Sequence, residues 1–277
     1  MPFEGAGRRQ WRQRCLTLPR GVVFDQRMRA IERDGVVQRV VAVLDAFDAG
    51  ASRMTLAELT RRCGLPKSTV HRIAAALCDE RLLDRDASGG YRLGLRLFEL
   101  GELVPQHRSL RDAALPVMED LREATRQRIH LAVLDGVDVV YVAILGASSV
   151  DVESRPGGRL PAHATGVGKV LLAYSPPEAL AARVEAGLGR LSPRTITAPG
   201  ALATALAEVR ENGTADDKEE STVGVSCVAA PVFGFDGRIR AALSVTGETR
   251  SVDPSRLGVA VRTAAFTLSR TLRASGL

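Results

Sequence analysis

Residues 56–77 read LAELTRRCGLPKSTVHRIAAAL. Leu56, Leu59 and Cys63 fall on one face of a short helix, and Gly64 ends it. Pro66 suits the first turn of a second helix, where its missing N–H is no loss. In that helix Val70, Ile73, Ala74 and Leu77 form the inward stripe, which turns Lys67, Ser68, His71, Arg72 and Ala75 outward. Two short helices joined by a tight glycine turn, the second with small and basic residues near its start, predict a helix-turn-helix. The chemistry suits the major groove: Lys and Arg reach phosphates or guanine edges, Ser and Thr reach phosphates or either base type, and Ala75 permits close approach. Lys67, Ser68, Thr69, His71 and Arg72 are therefore the candidate DNA contacts. A plain three-helix bundle with a solvated basic face has the same spacing, so the pattern alone leaves both readings open.

Upstream, Thr55-Leu56-Ala57-Glu58 is a capping box, with a hydroxyl at the N-cap and a carboxylate three residues on. Before it, Val37, Val40, Val41, Leu44 and Phe47 predict a first helix from about Val36 to Ala49, stopping at Gly50. Downstream of Leu83 the chain turns through DASGG and resumes as YRLG, a two-stranded wing. Arg85 lies beside its turn and Tyr91 and Arg92 at its return, which makes both arginines candidate DNA contacts.

This run, followed by YRLGLRLFELG at 91–101, resembles the winged helix-turn-helix domain of the IclR family of bacterial transcriptional regulators. GLPKSTVHR at 64–72 is close to that family's recognition helix. The resemblance extends from about Val37 to the C-terminus. It implies a ligand-responsive regulator, expected to be a repressor, with a linker helix that contributes to dimerisation and a GAF-like effector-binding domain. The expected organisation is a basic extension over 1–34, a winged helix-turn-helix over 35–95, a linker helix region over 96–109 and an effector-binding, oligomerising domain over 110–277. The expected fold class is α+β, and the expected partners are double-stranded operator DNA, a small-molecule effector and a second or further copy of the chain.

Bulk properties agree with two ordinary domains: 277 residues, 45% hydrophobic and 25% charged. No run approaches the roughly 18 apolar residues of a membrane span, and the start lacks a secretory h-region, so a cytoplasmic location is expected. Cys15, Cys63, Cys78 and Cys227 are scattered without a CxxC pair, which suggests neither disulfides nor a zinc knuckle. Of the net +6, residues 1–34 supply +4 (eight Arg against four acids), an arm for nucleic acid or a soluble extension.

Beyond the wing, RLGLRLFELGELV and Leu110–Thr125 read as two helices with a break at VPQHRSL. IHLAVLDGVDVVYVAIL reads as a hairpin turning at Asp135-Gly136. Helices then start at Ala164–Gly166, Pro176-Pro177 and Pro199, strands form at SCVAAPVF and RIRAALSVTG, and a last helix is capped by Asp253 with Pro254 in its first turn. The mix indicates a mainly antiparallel sheet with flanking helices. GVGK at 166–169 fails the phosphate-loop pattern, because His163 stands in place of the first glycine and Val170 follows the lysine.

Residues 214–233, TADDKEESTVGVSCVAAPVF, pose the functional question: Cys227 as nucleophile, metal ligand or packing. A nucleophile needs a base, and of four His only His130 and His163 lie in this domain, without a hydrolase signature. His163, Asp216, Asp217, Glu219 and Cys227 match no metal spacing, and no cofactor motif is present. The family resemblance gives a third role, a wall of the effector cavity. Carried over, it places Asp216, Val225 and Cys227 against the ligand, with Ser244 and Thr246 adding hydroxyls from one strand face. Gly166 and Val167 would present main-chain amides to a ligand carboxylate, and Val152 and Leu160 would supply apolar wall. Asp217, Glu219 and Glu220 are expected to be solvated. Hydroxyls, a thiol and helix-start amides suit a small organic acid or a polar aromatic. Two other readings remain: a C-terminal domain that only dimerises, and an enzyme that depends on Cys227.

Overall fold

The computed structural model describes residues 35–47, 51–146 and 154–277, so the basic extension and Val152 lie outside the described residues. The N-terminal module consists of α1 (Val36–Leu44), α2 (Leu56–Cys63), α3 (Lys67–Asp79), β1 (Leu83–Arg85) and β2 (Tyr91–Leu93). The capping box is formed on both sides: Thr55 Oγ1 accepts from the Glu58 amide at 3.3 Å, and the Thr55 amide donates to Glu58 Oε2 at 2.7 Å. Gly64 ends α2 at φ +67°, a left-handed turn that a side chain would strain. Val43, Leu59, Val70, Ala74 and Leu77 pack with Leu83 and Tyr91 of the wing into one core. Helix α1 is shorter than the spacing predicts, ending at Leu44 with Asp45 as its C-cap, and the predicted stop at Gly50 lies outside the described residues. Its apolar stripe continues through Ala46 and Phe47, which are buried although no longer helical.

The wing turn is fixed by Asp86, whose Oδ1 accepts from the Ser88 and Gly90 amides at 2.9 and 3.0 Å. Arg53 bonds the same carboxyl at 2.5 Å and holds it well below the usual carboxylate range.

Helices α4 (Leu95–Glu102) and α5 (Pro105–Thr125) follow. The predicted break at VPQHRSL shrinks to Leu103-Val104, because Pro105 starts a helix rather than ending one. Leu95, Phe98, Leu100 and Leu103 on and beside α4 are exposed.

The C-terminal domain contains β3 (Arg128–Asp135), β4 (Asp138–Leu145), β5 (Arg159–Pro161), α6 (Gly166–Tyr174), α7 (Pro177–Glu185), α8 (Pro199–Asn212), β6 (Ala215–Lys218), β7 (Val225–Phe233), β8 (Ile239–Glu248) and α9 (Pro254–Ala274). The six strands form one antiparallel sheet in the order β5-β4-β3-β8-β7-β6. The β3–β4 turn is one residue later than predicted: Asp135 pairs with Asp138, and Gly136 takes the positive φ of +63°.

Strand alternation divides the core in two. Ile129, Leu131, Val228, Ala230, Leu243 and Val245 face α5 and α9, burying Met118, Leu121, Val261 and Leu268. Ala132, Tyr141, Ala229 and Ala242 face α6 and α8, burying Val167, Val170, Leu171, Leu202 and Leu206. The small residues on the second face leave a hollow beneath the start of α6.

Candidate functional site

The DNA-facing candidates lie where the stripe arithmetic places them. Lys67, Ser68, His71, Arg72 and Ala75 are exposed on α3 and Thr69 is half-buried, opposite the buried Val70 and Ala74. Arg85 and Arg92 are exposed on the wing. The Arg85 guanidinium lies 5.5 Å from the Tyr91 ring centre, and Arg92 pairs loosely with Asp84 at 3.5 Å. Both contacts leave the cations at the surface, where phosphate can replace the weak partner.

The hollow in the C-terminal domain is bounded by β3, β4, β6, β7, β8 and the approach to α6. Leu160, Val167, Val225, Cys227, Ser244 and Thr246 of the predicted set line it, together with His130, Tyr141, Ser154, Thr165, Asp217, Ser221 and Thr222. Pairing registers explain the convergence: Cys227 lies between Asp217 on β6 and Thr246 on β8, and Ser244 lies between Ala229 on β7 and His130 on β3. The free space is about 20 Å³, room for about one water.

Every polar wall group is neutral or held toward neutrality. His130 is pushed down to about 3 by burial, with the Arg128 charge adding to the effect. Its Nδ1 lies 3.0 Å from Thr246 Oγ1 and its Nε2 2.8 Å from Ser154 Oγ. Burial raises the Tyr141 phenol and the Cys227 thiol far above their ordinary values, so Cys227 is held as a thiol rather than a thiolate. Gly166 packs closely on that sulfur, and a Cβ there would meet it at 2.6 Å. Asp217 is pushed up to about 7, first by burial and then by the Glu220 charge, although its Oδ1 accepts from the Glu220 amide at 2.7 Å.

Three expectations need correction. Asp216 does not face the hollow: on β6 the side chains alternate, so Asp217 points in while Asp216 joins Lys218 on the wall of a separate groove. Asp217 and Glu220 are not solvated, being only 4% and 8% exposed. Gly166 is not among the residues that line the hollow; it packs against Cys227 instead. Val167 does line the hollow, one residue into α6, whose N-cap Thr165 accepts from the Gly168 amide at 3.0 Å.

His163 does not line the hollow that holds Cys227, and its Nε2 lies 2.9 Å from the Gly189 carbonyl. Among the described residues no three His, Cys, Asp or Glu side chains are placed to hold a metal ion, and no helix is long and apolar enough to cross a membrane. Sequence reasoning missed His130, Tyr141 and Asp217 as wall residues. Their signal was register: Asp217 pairs with Cys227 and His130 with Ser244, so each shares its partner's face, and Tyr141 lies opposite Ala132 on the side that packs against α6.

Two family profiles match the chain: the IclR helix-turn-helix domain at residues 36–87 and the bacterial transcriptional regulator IclR C-terminal domain at 103–270. The HTH-type transcriptional regulator XynR of Escherichia coli (strain K12) is 38% identical over 224 residues, covering 80% of this chain and 89% of that protein. The regulator BhcR of Paracoccus denitrificans is 32% identical over 231 residues, covering 82% and 83%. An IclR homologue from Microbacterium hydrocarbonoxydans, solved as a complex with 4-hydroxybenzoate, superposes with a TM-score of 0.78 at 32% identity, covering 85% of this chain and 98% of that one. The Thermotoga maritima IclR does so with a TM-score of 0.70 at 26% identity, covering 86% and 98%. With both profiles in chain order and relatives spanning most of its length, the chain belongs to the IclR family of bacterial transcriptional regulators.

Proposed function

We propose that this protein is a repressor that reads a palindromic operator with α3 and the wing, and releases it when a small carboxylic acid or hydroxylated aromatic acid enters the hollow under α6. The observation that carries this reading is the wall itself: Asp217, Ser244, Thr246, His130 and Tyr141 converge on one buried point with no catalytic pairing. Asp217 with its proton, the two hydroxyls and the start of α6 offer donors to a carboxylate, and Leu160 and Val225 offer apolar contact. The Microbacterium homologue's 4-hydroxybenzoate has this chemistry.

A thiol held protonated beside an engaged histidine favours recognition over catalysis. The exposed apolar row on α4 favours pairing of two copies, which sets two recognition helices on an operator with two-fold symmetry. The protein would act in the cytoplasm.

Fluorescence anisotropy with DNA from the region upstream of the gene tests this, titrating 4-hydroxybenzoate and a panel of small carboxylic acids. At least one acid weakens DNA binding and raises the melting temperature. If no acid does either, the C-terminal domain serves assembly alone. That reading draws its support from the one-water volume of the hollow.

A further inference from the structure

A second depression lies on the other side of β6, between the C-terminal half of α8 and the first turns of α9. It holds about 630 Å³, within the roughly 300–1,000 Å³ usual for small-molecule sites. Its floor is a buried ion pair. Lys169 Nζ donates to Glu220 Oε1 at 2.5 Å and to the Asp216 carbonyl at 2.6 Å, and the two side chains are 5% and 10% exposed.

Two features of this floor point to a ligand. Glu220 Oε2 is fully buried and has no hydrogen-bond donor among the described residues. An unpaired buried carboxylate oxygen is costly, so it marks a place where a donor belongs. The ammonium of Lys169 has three N–H groups and spends two on these acceptors, so a spare donor lies beside the spare acceptor.

The charges around the floor balance. Glu208, Asp216 and Glu220 oppose Lys169, Lys218 and Arg262, so the groove concentrates neither anions nor cations. Ile196, Val209 and Val259 give the remaining wall an aliphatic character. A guest must therefore bring a cationic donor and an anionic acceptor close together, be neutral overall, and carry an apolar tail.

We propose that this groove is a second small-molecule site, separate from the hollow under α6, that takes an aliphatic α-amino acid as its zwitterion. After a small rotation that turns the buried Glu220 carboxylate toward the groove, the ligand ammonium donates to Oε2, its carboxylate accepts the third Lys169 N–H, and its side chain lies against Val209 and Val259. Because the Glu220 amide also holds Asp217, such a guest touches the segment that closes the first hollow.

Isothermal titration calorimetry of the full chain with L-leucine tests the proposal, with 4-methylpentanoate and 3-methylbutylamine as probes lacking one charge each. Leucine binds saturably, and each single-charge probe is weaker by at least about tenfold. Val259→Trp, at the exposed rim where the leucine side chain lies, obstructs that place and abolishes leucine binding, whereas Ser244→Ala in the hollow leaves it unchanged. Glu220→Gln, checked for folding by its melting curve, weakens it by at least about tenfold. No saturable heat up to about 10 mM leucine overturns the proposal, as does equal binding of either single-charge probe. So does a folded Glu220→Gln that binds as the parent does. Loss in Ser244→Ala with retention in Val259→Trp places the amino acid in the first hollow and also overturns it.

Discussion

Replacing Asp217 by Asn should stabilise this protein, and by an amount that depends on pH. The carboxyl is 4% exposed and is pushed up to about 7, from an ordinary value of 3.8. In the unfolded chain it ionises near that ordinary value, so between the two the folded state binds a proton that the unfolded state has released. The sign follows: the favourable contribution of the protonated group is complete below pH 4, declines as pH rises, and is gone above pH 7. Each pH unit in that window changes stability by about 1.4 kcal/mol, so the full span is on the order of 4 kcal/mol. Asn keeps an oxygen for the Glu220 amide and has no proton to lose, so the variant escapes the decline. Urea unfolding of both proteins at pH 5, 6, 7 and 8 should give curves that diverge upward for Asp217→Asn, reaching a few kcal/mol at pH 8. A constant difference across pH, or a parent that gains on the variant as pH rises, refutes the claim that this carboxyl is buried against its charge.

Arg72→Ala should leave folding intact, weaken operator binding by roughly 1–3 kcal/mol if it reads a base, and lower the salt slope by about one if it reads a phosphate. Anisotropy at several salt concentrations separates the two, and unchanged affinity removes Arg72 from the contact set. Ser244→Ala and Asp216→Ala should part company: the first alters the response to acid with DNA affinity intact, and the second, whose side chain lies outside the hollow, does not. Gly168→Ala places a Cβ 2.1 Å from the Ala162 carbonyl oxygen, so a fall of several degrees in melting temperature is expected, and an unshifted melt contradicts that packing. Cys227 should resist iodoacetamide at pH 7.5 and react only once urea unfolds the chain; fast alkylation of the native protein argues for an activated thiol.

The DNA-reading module was legible because local signals agree there. The capping box, the left-handed Gly64 and the Val70–Leu77 stripe each act within one or two turns of helix, and each is formed. The start of α5 is less legible, because VPQHRSL predicts a break between helices whereas Pro105 opens one. In the sensor, Cys227, Ser244 and Thr246 were legible through period-two alternation and family likeness. Asp217 was not, since TADDKEE contains adjacent acids and only the pairing of Asp217 with Cys227 decides which of them points inward. A register is set by the partner strand, and no property of β6 alone reveals it. His130 and Tyr141 were hidden for the same reason, each buried by neighbours far along the chain.

The hollow under α6, with space for about one water, also has a bearing on time. An acid larger than water cannot be captured on first encounter, because the walls must part before it can enter. At high acid concentration the rate of loading then levels off at the rate of wall opening instead of rising with concentration. Occupancy would follow sustained levels of the metabolite and pass over brief surges. If the hollow is the effector site proposed above, a sensor closed this tightly would average its input, and the promoter it serves would receive the average.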